Sequence, residues 1–380
     1  MNRTLATRLL TLALALLAPL PSTAAITLTD IAGRRVTLEQ PAKRLVLGEG
    51  RFVSVLGVLG LEHPIDYVAG MMNEFRVYDP TSFKRYTEAF PSIDDVPSFG
   101  NTSEATVSVE KLLSLLPDLA IFGLSGHGPG TQSRHVIDRL EAAGIPVLFI
   151  DFRQDPVANT APSVMLVANA LGLDDRGRAY SDYYTQQLAR VTDGVGDLSP
   201  DAQPRVLFDL RASASTPCCL TVAKGMFADL AQLAGARSMA TDILPGPTGM
   251  IGLETALTAD FDFYVGTAIG SGANQRGRYE HLAAGPGISD EQATASLRAV
   301  LEERGMSELP AVQRGRAALL WHHFYNSPLN LFAIQAMAKW FHPQRFADLR
   351  PEDTLAQLLA GFAPVDLEGT YAISLLEESP

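Results

Sequence analysis

Short apolar runs alternate along the chain with segments of helical periodicity, which reads as repeated βα units. The first series places strands at 44–47, 66–69, 118–122 and 146–150, with a helix at 133–143 closed by Gly144. A second series places strands at 205–208, 261–265 and 317–323. Helices are predicted after two of these, at 224–233 before Gly235 and at 330–341 after the Ser327-Pro328 turn.

The stretch from Asp155 to Val195 carries no strand signal. Residues 161–171 read as one helix ending at Gly172, and 174–191 as a longer one with Tyr180, Tyr184, Leu188 and Val191 at helical spacing. Gly194, Gly196, Pro200 and Pro204 then mark a break. The fold class that follows is α/β: two lobes with central parallel-type sheets, joined by a single long linker helix, with a ligand cleft between the lobes. The predicted boundaries are an N-terminal lobe over 26–172, the linker over 173–197 and a C-terminal lobe over 198–380. One large doubly wound domain is the alternative.

The first 25 residues have the layout of a cleaved secretory signal: basic Arg3 and Arg8, an apolar stretch, then Ser22-Thr23-Ala24-Ala25. The apolar run is shorter than the roughly 20 residues of a spanning helix, and no cysteine near the cleavage point offers a site for a lipid. The expected location is therefore the periplasm. Cleavage would take the formal charge from −12 to −14, which argues against nucleic acid as a partner. The two cysteines, Cys218 and Cys219, are adjacent, so the scaffold does not rest on a disulfide framework. Buried thiols or a vicinal disulfide are the expected states.

In open parallel sheets the ligand crevice lies beyond the carboxyl ends of the strands. Those ends supply Arg51, His127, Arg153, Arg211, the Cys218-Cys219 pair, His323 and Tyr325 as candidate ligand-binding residues. Guanidinium forks suit carboxylate, catecholate or oxoanion groups, unless nearby Glu49, Asp151 and Asp209 neutralise them. His323 and Tyr325, two apart, would share one face of a strand and could complete the coordination of a ferric centre. Catalytic signatures such as Gly-x-Ser-x-Gly, His-Glu-x-x-His or the phosphate-binding Gly-rich loop are missing from the sequence, so no catalytic residue is assigned. A secreted metal-dependent enzyme or a chelatase of similar fold is the enzymatic alternative.

Residues 26–38 with Pro41-Ala42-Lys43-Arg44-Leu45-Val46, the stretch 106–119, Leu253-Glu254-Thr255-Ala256-Leu257, Trp321 to Pro328 and Ala338 to Pro343 together resemble the periplasmic ferric-siderophore and cobalamin binding proteins of ABC importers. Phe261 stands where that family usually has proline. The resemblance implies a monomeric carrier that captures an anionic metal chelate, first of all a ferric siderophore, and needs no cofactor of its own. It also implies docking on the inner-membrane permease dimer through Glu110 and Glu254, one per lobe. Haem, cobalamin, nickel chelates and molybdate-like oxoanions are the alternative cargoes.

Overall fold

The computed structural model describes residues 25–271 and 278–376; the remainder of the predicted signal segment lies outside them. Among the described residues no helix is long and apolar enough to cross a membrane.

The chain opens with an antiparallel hairpin of β1 (Ile26–Thr29) and β2 (Arg35–Leu38). The first sheet holds β3 (Leu45–Leu47), β4 (Val68–Met72), β5 (Ser98–Gly100), β6 (Leu119–Gly123) and β7 (Val147–Ile150), in the order β5-β4-β3-β6-β7 and parallel throughout. The central strands β3 and β6 and the edge strand β7 are buried along their whole length. Their near-continuous apolar runs suit strands covered on both faces. Short β5 has no such run, and sequence periodicity misses it. The predicted strand at 66–69 begins two residues later, because Pro64–Tyr67 forms a 3₁₀ turn first.

Five strands build the second sheet among β8 (Arg205–Asp209), β9 (Leu220–Val222), β10 (Arg237–Ser238), β11 (Thr248–Met250), β12 (Phe263–Ala268), β13 (Gly285–Pro286), β14 (Ala317–Trp321), β15 (Gly369–Thr370) and β16 (Ala372–Ser374). Its order is β10-β8-β12-β14-β16, parallel except for the edge strand β16. β11 pairs with β9, and β13 with β15, in small antiparallel ribbons. The predicted strand at 317–323 stops at Trp321, where 322–326 turn into a 3₁₀ helix.

Between the sheets the chain forms two packed helices, Pro156–Leu171 and Asp174–Val195. The first starts five residues before the predicted position. Asp155 caps it by accepting from the Ala158 N–H, and Pro156 takes the first helical position, where its missing N–H costs nothing. Gly172 ends it at φ +71°, a left-handed conformation natural to glycine.

The long helix buries Gly177, Tyr180, Tyr184 and Val191 on one face. The Tyr180 hydroxyl donates to the Pro328 carbonyl (2.6 Å) and that of Tyr184 to Asn330 Oδ1 (2.8 Å). Asn330 in turn donates to Thr160 Oγ1 (2.7 Å), so three segments share one buried polar chain. The last segments of the chain cross back to the first lobe. The Phe362 ring lies where a Cβ on Gly57 would point, 2.4 Å away. One continuous core therefore contains strand residues from both sheets, including Leu47, Ile121, Val265 and Leu319. A smaller core covers the outer face of the first sheet around Phe122, Leu140 and Phe149.

Tyr184→Phe removes the donor on Asn330 Oδ1, the only one among the described residues, and leaves a buried acceptor unpaired. The expected loss is about 1–3 kcal/mol, read as a lower urea midpoint with an unchanged denaturant slope.

Candidate functional site

The carboxyl ends of the two sheets face a common cavity of about 290 Å³. Arg51, Tyr78, His127 and Arg153 line it from the first lobe, and Arg211, Met226, Ile269, His322, His323 and Tyr325 from the second.

Arg51 forms its floor. It is 6% exposed and sits in the turn after β3, where the Gly50 and Arg51 N–H groups donate to the buried Glu74 carboxylate (2.9 and 3.1 Å). Its Nη2 donates to Glu49 Oε2 (3.0 Å), and its Nε lies 3.6 Å from Glu74 Oε1. Burial alone would lower its pKa, but the fields of Tyr325, Glu49 and Glu74 overcome burial and hold it above the ordinary arginine value. Burial pushes the Glu74 carboxyl up to about 7 against the pull of Arg51. Gly48 and Gly128 make room for this arrangement. A Cβ at 128 would lie 1.8 Å from the Gly48 carbonyl oxygen, so the loop after β6 can close over Glu49 only with glycine there.

The floor reaches across the cleft. Arg51 Nη1 donates to His323 Nδ1 (2.5 Å), and His323 Nε2 donates to the Tyr78 carbonyl (2.9 Å). Asn326 Nδ2 donates to Glu49 Oε2 (2.8 Å), beside the His127 N–H on Oε1 (3.1 Å). Higher up, Arg153 Nη2 donates to the Tyr325 hydroxyl (2.7 Å), with its guanidinium 4.9 Å from the tyrosine ring centre. Four side chain contacts thus tie the turn at 322–326 to the first lobe.

The three arginines divide into two kinds. Arg51 is neutralised by carboxylates. Arg153 and Arg211 pair with none among the described residues, because Asp151 accepts from the N–H groups of Arg153, Gln154 and Asp155, while Asp209 pairs with Arg304. Arg211 is exposed to the cleft at φ +52°, a conformation uncommon for residues with a Cβ and costing on the order of 1 kcal/mol. It is held there by its N–H on Thr267 Oγ1 (2.7 Å) and by the flanking bonds Leu210 N to Leu220 O and Ala212 N to Thr267 O.

Arg51, His127, Arg153, Arg211, His323 and Tyr325 thus line one cavity, and the cysteines do not. Cys218 and Cys219 form a vicinal disulfide, buried at the end of the loop between β8 and β9, and the cavity wall is made by Leu210 and Leu220 instead. His323 and Tyr325 do not share a strand face, because the strand has ended at Trp321. Both ring nitrogens of His323 are spent on Arg51 and Tyr78, so it is a structural residue and has no lone pair for a metal. Among the described residues no group of three or more His, Cys, Asp or Glu is spaced to hold a metal ion.

Tyr78 and His322 are among the cavity residues that the strand ends do not supply as candidates. Tyr78 ends a five-residue helix with no motif of its own and packs on the His127 ring at 4.8 Å. His322 adjoins a predicted residue, but only the 3₁₀ turn brings both histidines to the cleft. Glu110 and Glu254 each stand exposed in the first turn of a six-residue helix, one in each lobe. Glu110 lies 3.8 Å from Arg139.

No family model matches the chain, and no curated relative does. Solved structures do match. One is the TroA-like periplasmic binding protein FepB from Veillonella parvula, with a TM-score of 0.79 and 24% identity over 92% of this chain and 99% of that one. The molybdate periplasmic binding protein MolA of Haemophilus influenzae matches at 0.66 with 17% identity, over 90% and 99% of the two chains. CeuE of Helicobacter pylori, in a nickel–histidine complex, matches at 0.60 with 12% identity, over 90% and 96%. The fold is that of the TroA-like periplasmic binding proteins. In that fold the cavity between the strand ends occupies the cleft between the two lobes.

Burial pushes His127 down to about 4, with Arg51 and Arg153 adding to the effect and Glu49 opposing it. Its folded pKa lies below its unfolded one, so the unfolded chain binds the extra proton between about 4 and 6.5. The stability this neutral histidine allows is present above that window and lost as pH falls through it. His127→Gln should therefore lose less stability than the wild type between pH 7 and pH 4.5 in urea titrations.

Proposed function

We propose that the chain is the periplasmic substrate-binding component of an ABC importer, capturing an anionic metal chelate, with a ferric siderophore as the first candidate. One observation carries this reading: among the described residues Arg153 and Arg211 face a single cleft without a carboxylate partner, in a chain of net charge −12. Two unneutralised guanidinium groups favour a ligand rich in anionic oxygens. The cavity is at the small end of ligand sites, so a chelate would seat its metal-bound oxygens there and leave its periphery at the mouth. The small volume also favours a second reading, a compact oxoanion such as the molybdate that MolA binds.

In this reading Arg211 supplies charge, Arg153 holds Tyr325 against the ligand, and Arg51 sets the floor on which both depend. The role is capture without turnover. The signal-like N-terminus supports export, and the lobes act as a monomer.

Native mass spectrometry of the purified chain should find a ferric chelate or an oxoanion bound. Fluorescence titration with ferric siderophores and molybdate should give saturable binding without product. Arg211→Ala should weaken that binding by roughly 10- to 100-fold, the size of a lost charge-assisted hydrogen bond. An unchanged affinity would remove Arg211 from the site.

Glu110 and Glu254, exposed on separate lobes, are proposed to dock on the permease as a two-point electrostatic clamp. Glu110→Lys combined with Glu254→Lys should leave ligand affinity intact and cut importer-dependent uptake by about tenfold or more. Normal uptake by the double variant would refute the docking assignment.

A further inference from the structure

The cleft contains one hydrogen-bonded relay whose direction can be read from its partners. The Arg211 backbone N–H donates to Thr267 Oγ1 at 2.7 Å, and Thr267 Oγ1 lies 2.8 Å from His322 Nδ1. Thr267 is fully buried on β12, and a buried hydroxyl proton needs an acceptor. Among the described residues His322 Nδ1 is the acceptor within reach. The Thr267 O–H therefore donates to Nδ1, which must carry a lone pair, and the ring proton sits on Nε2.

His322 itself is 7% exposed and lines the cavity, with its ring 4.9 Å from that of Tyr325. Its Nε2–H has no protein acceptor among the described residues. We propose that His322 is a specificity-determining donor of the cleft, which presents Nε2–H to an oxygen acceptor of the ligand and withholds its lone pair from the metal.

The inference deepens the proposed carrier role, on which it rests for the ligand. For His322 to coordinate a metal through Nε2, the ring proton would have to move to Nδ1. Thr267 Oγ1 would then receive two N–H groups, and its own buried proton would have no acceptor. His323 offers no substitute, because Arg51 takes its Nδ1 lone pair. The His322 imidazole therefore reads the outer oxygens of a chelate or an oxoanion, and recognises a metal through the groups that already surround it. Burial also pushes the His322 pKa well down, with Arg211, Arg51 and Arg153 reinforcing it, which agrees with a neutral ring.

The test begins without ligand. Long-range ¹H–¹⁵N correlation spectra of the ¹⁵N-histidine-labelled full chain report each ring's tautomer, and His322→Gln identifies the His322 signals. A protonated Nε2 and an unprotonated Nδ1 are expected; a protonated Nδ1, or a doubly protonated ring near pH 7, would overturn the proposal. Thr267→Val should release the fixed tautomer and weaken binding of molybdate or a ferric tris-catecholate by roughly tenfold, while Thr267→Ser should preserve both. A fixed Nε2–H tautomer in Thr267→Val would also overturn it. Addition of Zn²⁺ alone should leave the His322 signals in place, and coordination through His322 Nε2 would contradict the proposal. If neither anion binds the wild type, the carrier reading fails, and the tautomer spectra still decide the relay.

Discussion

The cleft depends on a buried cation held between two buried carboxylates. Arg51 is where the first lobe's central strand ends, and Glu49 and Glu74 are both almost fully enclosed. Removing the guanidinium would leave two uncompensated charges, a change of the kind that costs about 3–5 kcal/mol. With the cation in place, each carboxylate is also used up by N–H groups: Gly50 and Arg51 on Glu74, His127 and Asn326 on Glu49. Arg51 Nη1 fixes His323, and through it the Tyr78 carbonyl. One residue therefore positions the loop after β6, the end of the helix Glu74–Tyr78 and the 3₁₀ turn after β14.

That arrangement separates paired charge from charge left facing the cavity. The sequence shows three arginines at strand ends and nearby acids that could neutralise any of them. The structure uses two acids on Arg51, turns Asp151 onto backbone N–H groups and gives Asp209 to Arg304. Arg153 and Arg211 are left facing the cavity. A local cationic site inside an acidic protein follows from this allocation, without any overall field favourable to anions.

Much of the fold was legible because parallel strands covered on both faces are written as unbroken apolar runs, as at 119–123 and 147–150. The helix Asn330–Phe341 coincides with its predicted span, since its apolar composition and the turn before it are local signals. The misses are of another kind. Alternation places His323 and Tyr325 on one strand face only if the strand continues, and the chain turns where His323 meets Arg51, 272 residues away in sequence. Cys218 and Cys219 are near Arg211 in the chain, yet the loop folds them inward and presents Leu220. Tyr78 reaches the cavity by tertiary contacts, its ring on His127 and its carbonyl on His323. Pairings between distant segments decide these positions, and local periodicity does not encode them.

The same pairings bear on how a ligand would be bound. The lobes share a core, the C-terminal segment packs on the first lobe through Phe362, and four side chain contacts cross the cleft floor. A cavity joined at its base has little lobe motion left to order when it fills. Binding then spends less conformational entropy on closing, and the main ordering cost falls on exposed side chains such as Arg211, about 0.5–1.5 kcal/mol for each immobilised side chain. The backbone of Arg211 adds no further ordering cost, because its N–H is already held on Thr267 and its neighbour Leu210 on Leu220. Donors set in advance around a small cavity discriminate by the placement of acceptor oxygens. A ligand of the right charge but the wrong oxygen geometry would leave buried donors unpaired, and that penalty is the physical basis of selectivity in such a cleft.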